Sequence, residues 1–260
     1  MTGETPAAVA DAWFPLGRTE GSPRLYCLPH AGGSASKFGP WSRTLEGIAV
    51  RPVQLPGRES RLGQTPYTRI TALVRDLAQA LISHERRLNQ DSYAVYGHSL
   101  GALVGFELLR ELRRLGAPAP VHFFVSGAPA PDDLAQDRDP PIALMSDEEV
   151  ADLLRRIGGT PEWLLRDRSA LRLILPTFRA DFEVKQSYVF HAAEPLDVPV
   201  TAIAATQDPR VEAERMGRWE RHTANRFDLL TVSGGHFAVL EQAETTHGII
   251  RHALAAAPVR

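Results

Sequence analysis

The sequence predicts an α/β protein, with a mostly parallel central sheet flanked by helices. Two observations carry that expectation. From residue 24 onward, short apolar runs of strand length alternate with stretches of helical periodicity, the order expected when strands return through crossover helices to parallel neighbours. In addition, 260 residues at 43% hydrophobic content suffice to bury one large core, so a single domain spanning residues 1–260 with an insertion is the expected organisation.

Taken in order, Arg24 to Leu28 is the first expected strand. Its Cys27 is the only cysteine. It therefore has no partner for an internal disulfide, and its apolar neighbours mark it as a small buried hydrophobe rather than a reactive thiol. Ile48 to Leu55 is the second strand, after which Ile70, Leu73, Val74, Leu77 and Leu81 recur at helical spacing. Tyr93 to Tyr96 is a third strand. The helix after it carries Leu103, Phe106, Leu109 and Leu112 and is stopped by Gly116 and Pro118. Val121 to Ser126, Val200 to Ala205 and Phe227 to Val232 complete the strands.

Between Pro129 and Pro195 the alternation stops and only helical patterns appear, which predicts a lid insertion over residues 130–195, placed above the carboxyl edge of the sheet. Asp147 to Val150 reads as a helix start and Gly158-Gly159 as its end. Leu171 to Phe190 reads as a longer helical segment interrupted at Pro176. The sequence shows no internal repeat and no low-complexity segment, and the alanine-rich tail from Ala253 to Arg260 is expected to fray.

With 29 basic and 31 acidic residues and a net charge of −2, nothing favours a nucleic-acid partner. Met1 to Asp11 contains neither a basic region nor a long apolar stretch, which points to a cytoplasmic protein with no membrane attachment. The histidines, cysteine and carboxylates show no metal-ligand spacing, and neither a phosphate-cradling loop nor a dinucleotide fingerprint is present, so no cofactor is expected.

The chemistry is concentrated in Gly97-His98-Ser99-Leu100-Gly101, which joins an expected strand to an expected helix. A Gly-x-Ser-x-Gly turn in that context is the pattern of the α/β-hydrolase fold: the glycines allow a sharp bend, and the serine projects above the sheet at a helix N-terminus. Ser99 is the candidate nucleophile. The alternative is a helix-capping serine between tightly packed glycines. Pro29-His30-Ala31-Gly32-Gly33 follows the first strand and offers backbone N–H groups; with Ser99 in place, the expected oxyanion donors are the N–H groups of Ala31 and Leu100.

Of the nine histidines, His236 in Ser233-Gly-Gly-His-Phe237 is the candidate base, because it follows the last strand on a glycine-freed loop. His30 and His98 are expected to shape their loops. His84, His191, His222, His247 and His252 are expected at the surface, and His122 inside a strand. Asp208, after the Val200 strand, is the candidate acid that orients His236, with Asp132 and Asp133 after the fourth strand as competitors.

These segments together resemble the type II thioesterases, stand-alone editing hydrolases of polyketide synthase and nonribosomal peptide synthetase pathways, within the α/β-hydrolase superfamily. The resemblance rests on Pro29 to Gly33, Gln54-Leu-Pro-Gly-Arg-Glu59, Gly97 to Gly101, Leu175-Pro176 with Arg179-Ala-Asp181, and Gly235-His-Phe237. Leu100 stands where methionine is frequent in that family, and Thr206-Gln207 precede Asp208 where glycine and aspartate are often found.

The resemblance implies hydrolysis of aberrant or stalled acyl groups from the phosphopantetheine arm of acyl or peptidyl carrier proteins, through a Ser-His-Asp triad and an acyl-enzyme. Leu153, Leu154, Ile157, Trp163, Leu164, Leu165 and Phe182 are then candidates for lining an acyl chamber, unless they form the lid's own core. The surplus of basic residues from Arg155 to Lys185 is a candidate docking face for an acidic carrier, unless it is a solvated helix face. The sequence has no carrier domain ahead of the hydrolase segment, which argues against a fused terminal thioesterase. A free-standing carboxylesterase or lipase, or a catalytically silent binding module, are the other readings.

Overall fold

The apolar run Arg24–Leu28 forms strand β1 and divides its side chains between two layers. Leu25 and Cys27 enter one core, Tyr26 and Leu28 the other, as the two-residue period of a strand requires. The sheet continues in β2 (Ala49–Pro52), β3 (Tyr93–His98), β4 (His122–Ser126), β5 (Val200–Ala205) and β6 (Phe227–Val232), and the same division recurs along β3, β4 and β5. The strands pair in the order β2-β1-β3-β4-β5-β6 and all are parallel. The computed structural model describes residues 11–16, 20–88, 92–136 and 140–256. Most of the Met1 to Asp11 stretch and residues 257–260 of the alanine-rich tail lie outside them.

Nine α-helices are named among the described residues: α1 (Trp41–Thr44), α2 (Ile70–Leu88), α3 (Leu100–Arg114), α4 (Asp147–Ile157), α5 (Glu162–Arg166), α6 (Arg168–Gln186), α7 (Ala213–Gly217), α8 (Ala238–Glu241) and α9 (Ala243–Ala255). The stripes Ile70, Leu73, Leu77, Leu81 and Leu103, Phe106, Leu109, Leu112 put α2 and α3 on one face with Val95, Phe123 and Val125. Trp41 of α1, Val239 of α8 and Ile250 of α9 pack the other face against Ala94, Tyr96 and Phe124. Among the described residues no helix is long and apolar enough to cross a membrane.

Among the described residues between β4 and β5 the chain forms helices α4, α5 and α6 and adds no strand to the sheet. Ser146 and Glu149 form a reciprocal capping box at the start of α4, and Gly158, at φ +84°, ends the helix. The Asp167 carboxylate accepts from the Ser169 and Ala170 N–H groups to start α6. A third core cluster joins these helices through Val150, Leu153, Leu154, Leu165, Leu175, Phe178 and Phe182.

Three expectations need correction. Pro176 does not interrupt the helical segment, which runs from Arg168 to Gln186. Leu175, Phe178 and Phe182 are buried, and this packing holds the helix through a residue that would otherwise break it. Strand β2 is shorter than Ile48 to Leu55, because the chain turns away after Val53 and the Gln54 N–H donates to the Trp13 carbonyl. His84, His222 and His247 are buried rather than superficial, since each finds a local partner. His84 Nδ1 meets the Tyr26 hydroxyl at 2.8 Å, His222 Nε2 the Asp132 carboxylate at 2.8 Å, and His247 Nδ1 the Thr44 hydroxyl at 3.0 Å.

Burial pushes the pKa values of His84, His122 and His247 down to about 4, and that of His98 well below the ordinary histidine range. The unfolded chain therefore binds more protons than the folded one from the ordinary histidine pKa down to about 4, and stability falls as pH falls through that window. The thermal unfolding midpoint is expected to drop steadily between about pH 7 and pH 5, each full proton of difference costing about 1.4 kcal/mol per pH unit. Thermal melts across that range check this; a midpoint that stays level would show that these histidines titrate alike in both states.

Candidate active site

β1 lies between β2 and β3 in the sheet, so the chain leaves the carboxyl ends of β1 and β3 toward opposite sides. Ligand sites of open parallel sheets form at such a switch point, and both glycine-containing loops singled out in the sequence sit there. At the end of β3, Ser99 adopts φ 55°, ψ −117°, a conformation costly for a residue with a Cβ. Its N–H donates to the Ser126 carbonyl at 2.8 Å, and its own carbonyl accepts from the Ala102 N–H at 3.0 Å. A Cβ on Gly97 would lie 2.3 Å from the Gly101 carbonyl oxygen, and one on Gly101 would lie 2.2 Å from that of Leu28. Only hydrogen fits at either position. Helix α3 starts at Leu100, so its positive N-terminal dipole faces the space above Ser99.

His30 to Gly33 closes as a tight turn through a Gly33 N–H to His30 carbonyl bond of 2.8 Å. Ala31, Ser99, Leu100 and His236 line one cavity of about 240 Å³. His236 comes from the loop after β6, where Gly234 takes φ +117° and its carbonyl accepts from Gln207 at 2.8 Å. His236 Nδ1 lies 2.8 Å from Asp208 Oδ2. An ionised carboxylate only accepts, so Nδ1 is the nitrogen that carries the proton and Nε2 keeps the lone pair. Asp208 Oδ1 accepts from the Arg210 N–H at 2.8 Å, and the side chains of His236 and Asp208 are 4% and 0% exposed.

The competing acids are committed elsewhere. Asp132 bonds His222 and pairs with Arg221, while Asp133 pairs with Arg215 and Arg218. His98 and His30 pack around His236 with Phe237, their ring centroids 4.8–5.8 Å apart. Both histidines are held below the ordinary range, chiefly by desolvation, and a charged His236 lowers them further.

Two site residues escaped sequence reasoning. Gly127 takes φ +60°, and a Cβ there would lie 2.6 Å from His98 and 3.0 Å from His236. Gly159 lies so close to Phe237 that its Cβ would come within 2.5 Å of the ring. The first follows a strand in Ser126-Gly-Ala128, a signal that a backbone turn was needed but not for which neighbour. Of the apolar residues expected around an acyl chamber, Leu154, Ile157, Leu164 and Phe182 line the cavity, together with Ile174 and Phe178. Leu153 and Leu165 pack into the third core cluster, and Trp163 is 68% exposed. Among the described residues no group of three or more His, Cys, Asp or Glu could hold a metal ion.

A serine on a strained strand-to-helix bend above a parallel sheet, with a histidine lining the same cavity, places the chain in the serine hydrolases of the α/β-hydrolase fold. Within that class it belongs to the thioesterase family: residues 23–256 match the Thioesterase domain. It is 37% identical over 219 residues to the gramicidin S biosynthesis protein GrsT of Aneurinibacillus migulanus, covering 84% of this chain and 83% of that one. RedJ, a thioesterase of the prodiginine biosynthetic pathway in Streptomyces coelicolor, superposes with a TM-score of 0.81 at 36% identity, over 90% of this chain and 91% of that one. BorB, the type II thioesterase of the borrelidin biosynthetic cluster, gives 0.81 at 34% identity, over 94% and 98%.

The elbow contacts can be tested through stability. Gly101→Ala is expected to cost about 3 kcal/mol or more, because the atoms it would strike are backbone. Gly248→Ala, in α9 with nothing within 4 Å of the added Cβ, should instead gain about 0.5–1 kcal/mol. Chemical denaturation of the two variants reads the contrast, and equal stabilities would disprove the close contact.

Proposed function

We propose that this chain is a type II thioesterase that clears aberrant or stalled acyl groups from the phosphopantetheine arm of acyl or peptidyl carrier proteins, with Ser99, His236 and Asp208 as its catalytic triad. The observation that carries the reading is the His236–Asp208 pair, 2.8 Å apart, on the cavity that Ser99 lines. The kinship with GrsT, RedJ and BorB, all named for biosynthetic pathways, supports the substrate class.

In this mechanism Asp208 holds the Nδ1–H of His236, and Nε2 takes the Ser99 hydroxyl proton as Oγ attacks the thioester carbonyl. The tetrahedral oxygen receives the Ala31 and Leu100 N–H groups, each donor being worth about 2.7–4 kcal/mol in the transition state. Collapse expels the pantetheine thiolate, which takes the proton back from His236. Water, deprotonated by His236, then releases the acid and restores Ser99. No step calls for a cofactor.

The helical stretch over residues 130–195 acts as a lid, and its apolar face on the cavity suits an acyl chain. Its outer face suits a carrier less well than the bare charge count implies. Arg155, Arg166 and Arg179 already pair with Asp152, Glu162 and Asp147. Paired surface charges add little attraction for a partner.

Ser99→Ala and His236→Ala are expected to lower turnover of an acyl-carrier thioester by about 10,000-fold or more. Asp208→Asn should lower it by about 100- to 10,000-fold, and Asp132→Asn or Asp133→Asn by less than about 10-fold. Steady-state rates of the purified variants decide this; a reversed order among the aspartates would move the acid to β4.

Presented with the same acyl group on a carrier protein and on a small soluble ester, the enzyme should favour the carrier by about 10-fold or more in kcat/KM. Equal values would favour the carboxylesterase reading. A wild-type enzyme that Ser99-directed fluorophosphonate leaves unlabelled would be a binding module.

A further inference from the structure

Two segments that the proposed chemistry does not use meet at the His30–Gly33 turn. One is the loop Gln54 to Glu59, the other helix α6. Arg58 and Asp181 join them in a buried two-pronged ion pair: Arg58 Nη1 donates to Asp181 Oδ2 and Nη2 to Oδ1, both at 2.7 Å. Their side chains are 7% and 5% exposed. Asp181 Oδ2 also accepts the backbone N–H of Gly32 at 2.7 Å, and Arg58 Nη1 donates to the Gly33 carbonyl at 2.9 Å. Nearby, the Thr177 hydroxyl donates to the Gly57 carbonyl at 2.6 Å.

The bond to Gly32 falls on the part of the turn that is free to rotate. His30 and Gly33 close the turn, Gly32 has φ +72°, and Ala31 is absent from the residues with positive φ. This is a type II turn with Ala31 and Gly32 at its centre. The peptide between those two residues can flip without breaking the closing bond, which exchanges type II for type I by rotating ψ of Ala31 and φ of Gly32. The Asp181 carboxylate accepts its N–H in the type II orientation only. A flipped peptide would present a carbonyl oxygen to the carboxylate, which repels it.

We propose that Asp181, fixed by Arg58, is a positioning residue for acyl transfer: through the Gly32 N–H it locks the conformation of the His30–Gly33 turn and anchors the turn to α6, and so holds the Ala31 N–H in place above Ser99. The inference rests on the reading of Ala31 as an oxyanion donor. A donor in that role must sit about 2.7–3.1 Å from the developing oxygen, so a small displacement of the turn is felt in the chemical step more than in substrate binding.

The test separates positioning from simple charge balance. Asp181→Ala leaves Arg58 buried without its partner, which by itself can destabilise the fold. The double variant Arg58→Met/Asp181→Leu removes both charges, a replacement that buried pairs often tolerate, yet still leaves Gly32 without its acceptor. Octanoyl-N-acetylcysteamine serves as substrate and an alkyl trifluoromethyl ketone, which adds to a nucleophilic serine as a tetrahedral adduct, as inhibitor.

Both variants are expected to lose about 10- to 100-fold in kcat with KM within about 3-fold, and the ketone to weaken by the factor lost in kcat/KM. Recovery of the double variant to within about 3-fold of wild type would overturn the proposal, because the carboxylate would then only neutralise Arg58. So would a loss confined to KM, or a ketone affinity that stays unchanged while kcat falls. If Asp181→Ala does not fold, the double variant alone decides. Ser99→Ala in the same assay keeps the two readings apart: activity retained there defeats the triad, whereas activity lost there with an intact Asp181 variant defeats only the positioning role.

Discussion

A side chain at position 101 would sit 2.2 Å from the Leu28 carbonyl oxygen and 2.8 Å from that of Pro29, so the first turn of α3 rests directly on the end of β1. This contact sets the distance between the two loops that make the site. β1 hands the chain to the His30–Gly33 turn and β3 hands it to Ser99, and the two strands are neighbours paired from Arg24↔Tyr93 to Leu28↔Gly97. A larger residue at 97 or 101 would wedge them apart and carry the backbone N–H groups away from the serine. The conformation of Ser99 costs about 1–3 kcal/mol, and it persists because the sheet below is buried on both faces and Ser99 is bonded to the end of β4.

The imidazoles around the site answer a second constraint. His30, His98 and His236 lie in ring contact, and two of them charged at once would repel strongly in so enclosed a space. The structure separates their roles by environment. His98 is fully buried, its Nδ1 3.0 Å from the Ser126 hydroxyl, and among the described residues it has no carboxylate partner. His30 is desolvated by Phe237 and the turn it starts. Only His236 has a carboxylate on Nδ1. The other two supply neutral, poorly hydrated walls beside it.

Much of this was legible in the sequence. β1, β5 and β6 begin and end where the apolar runs do, and the Gly-x-Ser-x-Gly context located the bend, because both signals are local and follow from side-chain period and turn sterics. Other features depend on what lies across the fold. Pro176 reads as an interruption of its helix because its missing N–H is local, while the packing of Leu175, Phe178 and Phe182 that overrides it is tertiary. His84 and His247 looked like surface residues because their helices are amphipathic, yet each has a hydroxyl waiting on another element. Arg58 and Asp181 stood in separate family-like segments 123 residues apart, and no periodicity connects a loop after β2 to the middle of α6.

Helix α6 has two tasks on adjacent faces. Phe178 and Phe182, four residues apart, line the cavity, and Thr177 and Asp181, also four apart, hold the Gly57 and Gly32 backbones. Residues four apart share a helix face, so the apolar stripe that covers the substrate space is rigidly linked to the polar stripe that grips the turn. The α4–α5 segment is attached differently. It meets the site through the Gly158–Gly159 corner on Phe237 and through Leu154, Ile157 and Leu164, contacts that are apolar and nondirectional. Moving α6 would break a buried ion pair and displace the His30–Gly33 turn. Sliding α4 and α5 would exchange van der Waals contacts and the partly exposed Arg179–Asp147 pair. A cavity of about 240 Å³ that must admit an acyl chain without losing the geometry above Ser99 therefore has α4 and α5 as the side of its roof that costs least to open.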